Sequence, residues 1–164
     1  MVRALGHIPH GCQPLARDVI DTALFAAPAG HGAVDVVCRD VVEVKGDRTR
    51  LERVLQNLVD TALTYSVPGQ GVHVVVTQDE GGTDEPGTRR ATFTVSDRGA
   101  MIPAEDLPHI CTLYYRASNA ITHRGGTGVG LASAKSIIEQ HGGTLDIESE
   151  LGHGTTVTVC LPRP

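Results

Sequence analysis

The chain has 164 residues, 40% of them hydrophobic and 20% charged, and a formal net charge of -5. That length fits one domain with a real core. The acidic balance, 3% aromatics and lack of tryptophan argue against a nucleic-acid surface, which needs a basic face and stacking rings. No apolar run approaches the ~20 residues that span a bilayer, and the N-terminus lacks a basic-then-apolar signal pattern. Direct membrane insertion is therefore not expected, and the chain by itself reads as cytoplasmic. Cys12, Cys38, Cys111 and Cys160 form no CxxC pair and read as small core residues in a reducing compartment. The eight histidines make no metal-binding spacing.

Residues 1–14 read as a loose tail, and residues 15–162 as one domain. From Leu15 to Ala27, apolar residues recur at helical spacing. Pro28 to Gly32 breaks that pattern. Val34–Cys38 and Val41–Val44, split by Arg39-Asp40, predict a hairpin. Asp47 reads as an N-cap. Behind it Leu51, Val54, Leu55, Leu58, Val59 and Ala62 carry the rhythm of an amphipathic helix, which stops near Ser66 before Pro68-Gly69. Val72–Thr77 and Ala91–Val95 predict strands joined by the polar loop Asp79–Thr88.

Asp97 to Pro103 reads as a tight turn, Ala104–Ile110 as a short helix, and Leu113–Gly126 as an irregular lid. Val129–His141 predicts a helix with Leu131, Ala134, Ile137 and Ile138 on one face, ended by Gly142-Gly143. Thr144–Ser149 and Thr155–Leu161 predict a last hairpin. The order predicts an α/β fold: a two-layer sandwich whose mixed, mostly antiparallel sheet is covered on one face by about three helices.

Gly126-Thr127-Gly128-Val129-Gly130 stands directly before a helix. Glycines let the backbone approach a ligand, and the free N–H groups of a helix start favour phosphate. No Gly-Lys-Ser/Thr follows, so this is not a Walker A loop; nor does it sit at a first βα turn, as a dinucleotide fingerprint would. The wider series is more specific. Gly126-Thr127-Gly128-Val129-Gly130-Leu131-Ala132, then Gln140-His141-Gly142-Gly143-Thr144-Leu145, then Gly152-His153-Gly154-Thr155-Thr156 resembles, in order, the ATP-binding domain of histidine kinases. That family shares the Bergerat fold with DNA gyrase, the Hsp90 chaperones and MutL. The resemblance runs from about Val34 to Pro162.

The resemblance implies ATP and Mg²⁺ as ligands, with Gly126, Thr127, Gly128, Val129, Gly130 and Leu131 as the ATP-binding loop. Asn57-Leu58-Val59-Asp60-Thr61-Ala62-Leu63-Thr64-Tyr65 resembles the family's N-box, NLLxNAxKY. Its metal ligand falls on Thr61, with Asn57 one turn earlier positioning metal or phosphate, and Tyr65 beside the adenine. Where the gyrase branch has a glutamate that activates water, this chain has Asn57, which cannot act as a general base. That points to phosphoryl transfer rather than hydrolysis. Asp97-Arg98-Gly99-Ala100-Met101-Ile102-Pro103 resembles the DxGxGIP box. There Asp97 accepts from the adenine amino group, Gly99 keeps the turn tight, and Ile102 belongs to the pocket. Leu107 to Arg116 aligns with the F-box, keeping Tyr114 and a phosphate-reaching Arg116. Thr156 is expected to support the adenine through a water. Asn57 and Arg116 are the catalytic candidates.

No His-bearing dimerisation helices occur in the sequence. The expected partners are a His-bearing phosphoacceptor protein or domain and a downstream response regulator; such a partner, or a missing segment, could also associate the chain with a membrane. Two alternatives share the fold. One is a regulatory binding module impaired by Thr61, Thr64, Met101 and Leu113, and the other is a serine kinase of the anti-sigma-factor type.

Overall fold

The computed structural model describes residues 34–38, 44, 46–67, 69–79, 90–120 and 126–163. The predicted tail, the helix Leu15–Ala27, the loop after Asp79 and most of Val41–Val44 lie outside the described residues.

Strand β1 is Val34–Cys38, helix α1 Arg48–Tyr65, and strands β2 and β3 are Val72–Asp79 and Arg90–Asp97. A 3-10 turn, Ser118–Ala120, precedes helix α2, Gly130–Gln140, and strands β4 and β5, Thr144–Glu150 and Gly154–Pro162. The sheet order is β1-β2-β3-β5-β4. β1 runs parallel to β2, and the other three pairs are antiparallel. This is the expected mixed α/β sheet. β1 pairs with β2, across a crossover that contains α1; most of its predicted hairpin partner, Val41–Val44, lies outside the described residues.

Helix α1 begins where the Asp47 side chain accepts the Arg50 N–H at 3.0 Å. Leu51, Val54, Leu58, Val59, Ala62 and Leu63 form its buried stripe. Each Val or Leu so buried contributes roughly 1.5–3 kcal/mol. The helix ends with the Ser66 N–H on the Ala62 carbonyl.

Alternation along β2, β3 and β5 turns Val72, Val74, Val76, Phe93, Val95, Val157 and Val159 into the core with the α1 stripe and Ile137 and Ile138 of α2. The same alternation carries Asp97 and Thr155 onto the core face at the ends of β3 and β5, where both are buried. Two polar residues thus sit where the apolar pattern would have continued.

Helix α2 closes as expected at Gly142, whose φ is 73°. The Gly143 N–H reaches the Ile138 carbonyl and the Gly142 N–H the Glu139 carbonyl, a Schellman closure. His141 then ties the helices together. Its Nδ1 lies 2.7 Å from the Ile137 carbonyl, and its Nε2 accepts the Asp47 N–H at 3.1 Å. Replacing His141 with alanine strands that amide at the start of α1. The expected loss is about 1 kcal/mol and roughly 2–4 °C in Tm by scanning calorimetry; an unchanged Tm would remove the clasp from the account.

Residues 104–110 form successive turns rather than the predicted short helix. The Asp106 and Leu107 N–H groups share the Pro103 carbonyl, and the chain then re-turns at His109 and Thr112. Pro108 has no N–H to continue a helix, and the Asp106 side chain is drawn off to Tyr115 and Ser118.

Candidate functional site

Helix α1, the end of β3 with its following turn, the start of α2, and the segment from Ile110 to Ala120 enclose a cleft of about 230 Å³. One end is built around Asp97. Its Oδ1 accepts the Gly99 N–H at 2.7 Å. Burial pushes the Asp97 carboxyl above its ordinary range, opposed by the amides of Gly99 and Thr155. The folded chain therefore holds this proton more tightly than the unfolded chain does. Ionised Asp97 costs stability at neutral pH, and that cost disappears as pH falls through its raised pKa. A desolvated carboxylate with only part of its acceptor capacity used is suited to a ligand that donates. Apolar Leu58, Ala62, Val95, Met101, Ile102, Ile147 and Val157 help wall the cleft.

The turn after Asp97 is locked by three hydrogen bonds. The Ala100 N–H donates to the Tyr65 carbonyl at 3.2 Å. The Ile102 N–H donates to Ser149 Oγ at 2.8 Å, and Asn119 Nδ2 to the Met101 carbonyl at 2.6 Å. A side chain at Gly99 would collide with the Tyr65 carbonyl oxygen, so the turn packs this closely only with glycine.

The other end is built around the start of α2. Gly126 and Gly128 have φ of 90° and 69°. No side chain caps the helix, and its first turn closes with the Ser133 N–H on the Val129 carbonyl. The amides of Gly130, Leu131 and Ala132 therefore have no acceptor within the helix, the arrangement that draws anions. Across from them, Asn57 Nδ2 lies 3.5 Å from the Gly130 carbonyl, and the Thr61 hydroxyl donates to the Asn57 carbonyl at 2.6 Å. With its hydrogen so placed, the Thr61 oxygen keeps lone pairs for a cation. Asp60 also lines the cleft, and the wall's desolvation pushes its carboxyl pKa up. Arg116 lines it too, its guanidinium anchored on the Ala120 carbonyl at 2.6 Å.

The segment between the two ends is pinned by buried Asp106. It accepts the Tyr115 hydroxyl at 2.6 Å and the Ser118 amide and hydroxyl at 2.7 and 2.8 Å. These bonds, Tyr115 foremost, hold the Asp106 carboxyl below its ordinary range. Its contribution has the opposite sign to that of Asp97: it is present above pH 3.8 and is lost as pH falls through the lowered pKa.

Of the residues singled out from sequence, Asn57, Thr61, Tyr65, Asp97, Ile102, Arg116, Gly126, Thr127, Gly128, Gly130 and Leu131 come together around this cleft. Gly99 sits behind Asp97 as its hydrogen-bond donor, and Val129 is the N-cap of α2. Tyr114 is not brought in: its side chain is 78% exposed, and only its N–H engages the loop, on the Gly128 carbonyl at 2.9 Å. Thr156 lies on the opposite face of the sheet. Its strand neighbour Thr155 lines the cleft instead, because Thr155 is the partner of Asp97 in the β3–β5 ladder and Thr156 pairs with Ser96. Counting strand alternation outward from Val157 would have found Thr155. Asn119 and Ser149 carried no motif signal.

A sequence model of the family described as histidine kinase-, DNA gyrase B-, and HSP90-like ATPase matches residues 46–164. The sensor protein SrrB of Staphylococcus aureus is 38% identical over 119 residues, which are 72% of this chain and 19% of SrrB. The chain thus spans about a fifth of the length of the curated relatives it matches. The structure resembles a mycobacterial sensor histidine kinase, MprB, with a TM-score of 0.76 and 28% identity, covering 91% of this chain and 97% of that one. It shares its fold with the catalytic domain of the histidine kinase ThkA, with a TM-score of 0.68 at 24% identity, covering 91% of this chain and 90% of that one.

Proposed function

We propose that this chain, a member of the histidine kinase-, DNA gyrase B- and HSP90-like ATPase family, is the ATP-binding catalytic module of a sensor histidine kinase. One observation carries the reading. A single cleft joins a buried acceptor, Asp97, to the uncapped start of α2. A nucleotide fits that polarity, with its base donating to the carboxylate and its phosphates on the glycine loop.

The residues act by positioning and by charge. Asp97 orients the base. Gly126 to Leu131 present backbone N–H groups to the phosphates, and Arg116 adds positive charge beside them. Asn57 supplies no general base, which suits transfer to a protein nucleophile rather than to water. Among the described residues no group of three or more His, Cys, Asp or Glu side chains could hold a metal ion alone. The oxygens of Thr61 and Asp60, with Asn57 one turn away, fit a hard cation that takes its remaining ligands from phosphate and water. Mg²⁺ held there would neutralise phosphate charge.

The acceptor is a histidine on a helical dimerisation protein or domain, the phosphoryl group passes onward to a response regulator, and the module works on the cytoplasmic side, where ATP is. No helix among the described residues is long and apolar enough to cross a membrane.

The test is transfer of label from γ-labelled ATP to a separate histidine-bearing dimerisation domain. Label should appear as acid-labile phosphohistidine and should vanish with EDTA. A chain that binds ATP yet labels none of a panel of such domains would overturn the kinase reading in favour of a binding module.

A further inference from the structure

We propose that Ser149 sets the nucleobase selectivity of the cleft by fixing the direction of the Thr155 hydroxyl, an inference that rests on the ATP reading above. Ser149 Oγ has three neighbours: the Ile102 N–H at 2.8 Å, the Gly154 carbonyl at 3.1 Å and Thr155 Oγ1 at 2.9 Å. A hydroxyl brings one hydrogen and two lone pairs. The amide can only donate and the carbonyl can only accept. The Ser149 hydrogen therefore goes to Gly154, one lone pair takes Ile102, and the remaining lone pair faces Thr155. For that last contact to be a hydrogen bond, the donor must be Thr155.

With its hydrogen turned toward β4, Thr155 has only lone pairs left for the cleft it lines. It stands opposite Asp97 in the β3–β5 ladder. Asp97 and Thr155 then both face a base as acceptors. A base with an exocyclic amino group, such as adenine, is accepted. A base with a carbonyl at that position, such as hypoxanthine, sets its lone pairs against theirs, and a buried mismatch of that kind is costly. Ser149 does not line the cleft; it is a positioning residue acting through Thr155. Without it, the Thr155 hydroxyl is free to rotate and donate.

The experiment measures Kd for ATP and for inosine triphosphate, with Mg²⁺, by calorimetric titration. It compares the wild-type chain with Ser149→Ala, Thr155→Val and Thr155→Ser, and circular dichroism confirms each fold. The wild type should prefer ATP. Ser149→Ala should cut that preference roughly 5–10-fold, in part through tighter binding of inosine triphosphate, the effect of about one hydrogen bond. Thr155→Val should cut it similarly, and Thr155→Ser should keep it. A Ser149→Ala chain that weakens both nucleotides equally, or keeps the wild-type ratio, overturns the proposal, while ATP binding by the wild type leaves the ATP reading standing. If Ser149→Ala does not fold, an unchanged ratio in Thr155→Val overturns it. A wild-type chain that binds neither nucleotide overturns the ATP reading and this inference with it.

Discussion

Replacing Asp97 with alanine should weaken ATP binding about 100-fold or more while the chain stays folded. A charge-assisted hydrogen bond in a site partly closed to water contributes about 1.5–3 kcal/mol, and 100-fold corresponds to about 2.7 kcal/mol. The substitution also leaves the Gly99 and Thr155 amides without their acceptor, so the turn that shapes the pocket loosens. Global stability should suffer less than binding. The buried carboxylate is held above its ordinary pKa, so its charge is a cost to folding at neutral pH, and removing it recovers part of what the lost bonds contributed. Calorimetric titration beside a thermal melt separates the two effects. An affinity within about threefold of wild type would mean that the base does not sit on Asp97.

Gly128→Ala should weaken ATP binding at least tenfold through backbone geometry alone. Gly128 has φ of 69°, which costs a residue with a side chain about 1 kcal/mol. A Cβ there would lie 2.6 Å from the Tyr115 carbonyl oxygen and 2.7 Å from the Tyr114 carbonyl carbon. Both neighbours are backbone, so no side chain can swing aside. Relief requires the segment carrying Tyr114, Tyr115 and Arg116 to move off the glycine loop, breaking the Tyr114 N–H bond to the Gly128 carbonyl. Gly152→Ala is the matched control. Its φ is 81° and nothing lies within 4 Å of its Cβ, so it carries the conformational strain without the collision. Its ATP affinity should stay at the wild-type value. Equal losses in the two variants would assign the effect to strain rather than to contact between lid and loop.

These two residues also show what the sequence could and could not convey. Gly128 was legible because a glycine-rich run before an amphipathic helix has few structural uses. Asp97 was legible through the pattern that follows it, although it ends β3 rather than opening a turn. Helix α1 declared itself by its apolar rhythm and its Asp47 cap, and α2 by Gly142-Gly143.

Local pattern failed where a distant partner decides the outcome. The parallel pairing of β1 with β2, across α1, has no signature in the apolar content of β1. In residues 104–110 Pro108 already interrupts the helix, and Asp106 is committed to Tyr115 and Ser118. Thr155 and Thr156 are chemically identical; alternation outward from Val157 separates their faces, and the pairing of Thr155 with Asp97 places it at the cleft. Ser149 and Asn119 act through backbone groups 47 and 18 residues away. No spacing rule within a single strand or turn contains that information.

Backbone amide chemical shifts, followed as Mg-ATP is titrated into the folded chain, test the account most directly. The predicted result is a saturable set of shifts confined to the residues around the cleft: Asn57 to Tyr65, Asp97 to Ile102, Tyr115 to Ala120, Gly126 to Ala132, and Thr155. The amides of Thr92, Thr94 and Thr158, on the far face of the sheet, should stay still. No saturable shifts at millimolar Mg-ATP, or shifts clustered away from Asp97 and the start of α2, would contradict it.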